Sequence, residues 1–191
     1  KTSRELDRAD AVDDDAMTTD DAPALARVGR DDVLRSCATT SIGMLVVGLG
    51  ARAASGAFPT RATHGDWNAA LPLLGDDAGA TAVAALCAAG AVTVGRIALL
   101  QVWDEFAAST DRSNAQVLGA LDGAGDVAQV AVLPALGEEV LFRGALLPAV
   151  GGVPGVVVSS LVFGALHIGG GRSAAFGVWA SAVGAVYGVA A

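Results

Sequence analysis

The sequence predicts an all-α fold: a polytopic transmembrane helical bundle of about five apolar helices, preceded by a disordered N-terminal segment. Three observations predict it. Hydrophobic residues fill 53% of the 191 positions and charged ones only 17%, with a mean hydropathy of +0.53. Soluble domains run nearer about 45–50% and about 25%. The apolar residues gather in long runs after residue 32, whereas the first 32 residues hold ten acids and hardly any large apolar side chain. Strict alternation of apolar and polar residues, the mark of a half-buried strand, is absent.

Residues 1–32 carry too little apolar surface to offset chain entropy and read as an acidic, disordered segment. They lack the apolar stretch of a signal peptide and are too acidic for a transit peptide. Residues 33–114 read as N-terminal transmembrane helices and polar loops. Their first apolar run, Ser36 to Ala54, is broken only by Arg52, which is placed to snorkel to the interface. A polar loop with Pro59, Arg61, His64 and Asp66 follows, and His64 reads as solvated. Ala78 to Gly95 then supplies 18 uncharged residues, which at helical rise span roughly 27 Å, close to the hydrocarbon thickness. Trp103 to Asn114 is polar enough for a loop or an interfacial helix.

The third region, residues 115–191, has the most unusual chemistry. The run from Asp126 to Val150 is apolar yet carries Glu138, Glu139 and Arg143 near its middle. A turn signal, Gly151-Gly152-Val153-Pro154-Gly155, leads to Val156–His167, which stops at Gly169-Gly170-Gly171. Ser173 to Ala191 is 19 residues without a charge. The sequence starts without Met and ends inside an apolar run, so further chain is expected at both ends. Cys37 and Cys87 have neither disulfide nor metal spacing and read as small buried residues. A net charge of −8, mostly from the N-terminal segment, speaks against a nucleic-acid partner.

Three ionisable residues in an apolar helix cost on the order of 2.5–3.5 kcal/mol each at a bilayer centre, so they either face the protein interior or mark a helix end at the interface. Glu139 and Arg143 are four residues apart and can pair on one face. Glu138 points about 100° away and is left without a fixed cation. A carboxylate so placed, poorly solvated, keeps the basicity that water activation needs. Pro134 leaves a backbone carbonyl without its donor and is placed to kink the helix. On the next apolar helix Phe163 and His167 again share a face, with Gly164 permitting close approach. Glu138 lies 14 residues before Gly152, and His167 lies 13 residues after Pro154. In an antiparallel hairpin both would sit roughly 20 Å from the bend, at one depth.

Glu138-Glu139-Val140-Leu141-Phe142-Arg143-Gly144 resembles the EExxxR motif, and Phe163-Gly164-Ala165-Leu166-His167 the FxxxH motif, of the CAAX-processing and bacteriocin-processing (CPBP) intramembrane endopeptidases. The resemblance covers about residues 115–191. It implies a membrane-embedded, glutamate-dependent endopeptidase in which Glu138 activates water and His167 assists. Glu139 and Arg143 would hold the helix geometry, and Phe163 would pack beside the histidine. The implied partners are the lipid bilayer and a membrane-associated or lipidated protein substrate. A third family motif, HxxxN or HxxxD, to which the resemblance assigns stabilisation of the oxyanion, is expected on a later helix beyond Ala191, and the chain without it is expected to be inactive. The residues favour a metal-free mechanism; zinc held by Glu138 and His167 stays open as the alternative cofactor. The Ala/Gly/Asp-rich composition and the GEEVLFRGALLP stretch resemble plastid members, favouring a chloroplast membrane over the endoplasmic reticulum. A rhomboid-like serine protease lacks its Gly-x-Ser-Gly loop here, since Ser159-Ser160 lies in VVVSSLVFG. A non-proteolytic membrane scaffold, or a transporter using buried carboxylates, are the remaining alternatives.

Overall fold

The computed structural model describes residues 28–55, 78–169 and 171–191, and within them every extended element is helical. The loop of Pro59, Arg61, His64 and Asp66, and residues 1–27 of the acidic segment, lie outside the described residues. Helix α1 (Arg30–Ser55) starts before the apolar run, because Asp31 and Asp32 complement the positive end of its dipole. Residues 30–32 are therefore helical rather than disordered. Arg30 fixes this start: its Nε and an Nη each donate at 2.6 Å to the Asp126 carboxylate, which also accepts the Asp122 N–H at 2.8 Å.

Helices α1 and α2 (Ala78–Val102) are long and apolar enough to cross a membrane by length and composition. At 1.5 Å per residue each spans more than a hydrocarbon core of about 30 Å. Their large apolar side chains, Val46 and Leu49 on α1 and Leu86 and Val94 on α2, are more than half exposed. A helix that is apolar all round is stable only in a core or in lipid. These are not in a core, so the chain is an all-α integral membrane bundle. The same geometry corrects the reading of Cys87: it is exposed on α2, where none of the described residues covers it, while Cys37 is half-buried.

The polar stretch after Trp103 is a helix, α3 (Asp104–Leu118), not a loop. Fully buried Phe106 anchors it, its ring centroid 5.9 Å from both Phe176 and Trp179. Ser109, Thr110 and Ser113 share that buried side. Helix α4 (Ala124–Glu138) passes through Pro134 without ending and opens at Glu139 into a π-helical segment (Glu139–Leu146), followed by the short α5 (Leu147–Val150).

The reversal is tighter than the five-residue turn signal suggests. Gly151 and Gly152 take positive φ of 78° and 57°, a region open to glycine, and α6 (Gly152–Leu166) begins at once with Pro154 in its first turn. Helix α7 (Ala174–Ala190) packs closely on α6. A Cβ at Gly164 would overlap Ser181 Oγ and lie 2.5 Å from the Gly177 carbonyl oxygen. Substituting Gly164→Val should separate the pair and lower stability by on the order of 1–3 kcal/mol. Thermal unfolding in detergent measures this, and an unchanged midpoint would contradict the packing.

Candidate active site

The tight turn delivers the two motifs to one depth. His167 Nε2 stands 3.7 Å from Glu138 Oε1, with the two side chains about three-quarters or more buried (20% and 26% exposed). Glu138 is the last α-helical residue before the π segment, so its carboxylate projects where the helix widens.

His167 closes α6 at φ −90°, ψ 0°, a sparsely populated bridge conformation frequent at active sites. Its backbone N–H turns to the Gly164 carbonyl at 3.0 Å, one residue short of the α-helical partner. The Phe163 carbonyl thus freed meets the imidazole Nδ1 at 2.7 Å. A carbonyl can only accept, so Nδ1 carries a proton toward Phe163, and Nε2 is the nitrogen that faces Glu138. The four-residue spacing of Phe163 and His167 therefore has a mechanical meaning: it lets one residue's carbonyl hold the other's ring.

Phe163 is also the packing centre. Its ring lies 4.3 Å from the His167 ring and 5.0 Å, edge-on, from Phe142, and the Arg143 guanidinium sits over it at 5.3 Å. Arg143 is buried and caps Tyr187 as well, at 5.5 Å. One of its Nη atoms reaches Glu139 Oε2 at 3.7 Å, the pairing expected from the spacing, although Glu139 is 60% exposed. Arg52, read as snorkelling, turns inward instead: an Nη donates at 2.8 Å to the Gly144 carbonyl. The α-helical donor to that carbonyl would be residue 148, which is Pro148 and has no N–H.

Sequence reasoning missed Arg172, in the loop between α6 and α7. It is half-buried, its guanidinium 5.1 Å from the Phe176 ring, and Phe176 in turn stacks 6.4 Å from His167. Burial lowers its pKa from the ordinary value and the Glu138 carboxylate opposes that, so the two charges feel one another. The only trace in the sequence was a cation five residues after the histidine, in a glycine run that reads as a helix stop.

A catalytic zinc takes about three protein ligands. Glu138 and His167 are two, and among the described residues no group of three or more His, Cys, Asp or Glu gathers. The described residues therefore supply two of the ligands such a centre takes.

Glu138 and His167 thus face each other from neighbouring elements of the helical bundle. Residues 122–191 match the family model of the type II CAAX prenyl endopeptidases (Rce1-like), so the segment holding both motifs is similar to that family, as the motifs led us to expect. Comparison with curated proteins and with solved structures gives no match. Nitrogen NMR of isotope-labelled protein should find the neutral His167 ring protonated at Nδ1; a neutral ring protonated at Nε2 would contradict the Phe163 hydrogen bond.

Proposed function

We propose that the chain serves a membrane-embedded, glutamate-dependent endopeptidase of the CAAX type, acting on a membrane-associated or lipidated protein. The observation that carries this is the 3.7 Å approach of Glu138 Oε1 and His167 Nε2, a gap a water spans by donating one hydrogen to each. Its lone pair then faces outward to attack a peptide carbonyl carbon. Glu138 takes the proton released as the C–O bond forms, and that proton goes to the amine nitrogen as the C–N bond breaks. His167, locked by Phe163, orients the water and accepts its second hydrogen bond. Glu139 and Arg143 hold the π-helical segment, and Phe163 holds the imidazole. No step calls for a metal. The alanine-, glycine- and aspartate-rich composition supports a chloroplast membrane as the site of action.

Glu138→Gln in the full-length protein, reconstituted in liposomes with a farnesylated CAAX peptide, should lower kcat by at least about 10²-fold. Wild-type cleavage should persist in chelator. Retention of rate by the Gln variant would refute the glutamate mechanism, and restoration of a chelated enzyme by zinc would refute its metal-free form.

A further inference from the structure

Arg172 has the properties of a working cation. Its loop is fastened on several sides: the Ser173 N–H donates to Ser109 Oγ at 2.8 Å, Arg112 Nε to the Gly171 carbonyl at 3.4 Å, and Gly169 and Arg172 exchange backbone hydrogen bonds at 3.1 and 3.2 Å. The side chain is held as well, because Nε donates to buried Ser113 Oγ at 3.1 Å and the guanidinium plane rests over Phe176. No carboxylate lies within 4 Å of it among the described residues, so its charge is not neutralised by an ion pair. Phe176 links it to the imidazole, since the Phe176 and His167 rings are nearly parallel at 19°. Arg143, by contrast, is enclosed by Phe163 and Tyr187 and directed at Glu139.

Peptide hydrolysis at this pair places negative charge on the scissile carbonyl oxygen as the water oxygen adds to the carbon. A fixed donor aimed at that charge acts without reorganising. We propose that Arg172 is a further catalytic residue, whose outer guanidinium edge donates to the carbonyl oxygen of the scissile peptide as it becomes an oxyanion. Helix α3 thereby belongs to the catalytic unit: Ser113 sets the angle of the guanidinium, and Ser109 holds the turn that carries it. The inference rests on the endopeptidase reading above.

The test uses the full-length protein in liposomes with the farnesylated CAAX peptide, comparing Arg172→Gln, Arg172→Lys and Ser113→Ala with wild type and with Glu138→Gln. Arg172→Gln should lower kcat by about 10²-fold, the size of one lost oxyanion donor, with KM changed by less than about threefold. Arg172→Lys keeps the charge but loses the Nε donor and the planar stack, and should recover only part of that loss. Ser113→Ala keeps Arg172 but frees its angle and should give an intermediate kcat. A purely structural role predicts otherwise: Lys and Gln would be equally impaired, with a lowered unfolding temperature in both. That outcome, or a kcat for Arg172→Gln within about twofold of wild type while Glu138→Gln is inactive, overturns the role of Arg172 alone. Absence of cleavage by wild type, or full activity of Glu138→Gln, overturns the endopeptidase reading and this inference with it.

Discussion

The hydrogen bond between the His167 ring and the Phe163 carbonyl is the constraint on which the site depends. In a regular helix that carbonyl would accept the backbone N–H of His167. Because the last turn of α6 tightens, the backbone N–H bonds one residue earlier and the imidazole takes the vacated acceptor. The substitution settles three things together: the ring's orientation, its tautomer, and the nitrogen that faces Glu138. Phe163 then connects this arrangement to the charged helix through Phe142 and Arg143. One aromatic residue so positions both partners.

A second device supports the carboxylate. The helix carrying Glu138 has a proline on each side of the motif, Pro134 and Pro148, and widens between them into a π-helical segment. Each proline removes a backbone donor. In an apolar setting an orphaned carbonyl costs on the order of a few kcal/mol unless another group satisfies it. Arg52 does so for Gly144, which ties α1 to the far side of the segment while Arg30 and Asp126 tie its beginning to α4. The distorted helix is held at both ends by charged contacts from α1.

Much of this arrangement was legible in the sequence because it is local. Uncharged runs of helical length gave the spans, and residues four apart gave the Glu139–Arg143 and Phe163–His167 neighbours. Equal distances from one turn gave Glu138 opposite His167. What could not be read depends on contacts distant in sequence. Composition left α3 undecided between loop and helix, because its anchor, Phe106, is buried by aromatic rings some seventy residues on. The inward turn of Arg52 required knowing that Gly144 lies beside it, 92 residues away. Arg172 was hidden in a glycine-rich stop, and the π segment has no residue signature beyond its prolines.

The central claim is that Glu138 and His167 form one physical unit inside the membrane bundle. A double-mutant cycle on unfolding free energy in lipid nanodiscs, using Glu138→Gln, His167→Ala and both together, tests it most directly. Contacting residues should show a coupling of at least about 0.5 kcal/mol. Additivity within about 0.3 kcal/mol would place the two side chains apart and leave an apolar helical bundle without a catalytic pair.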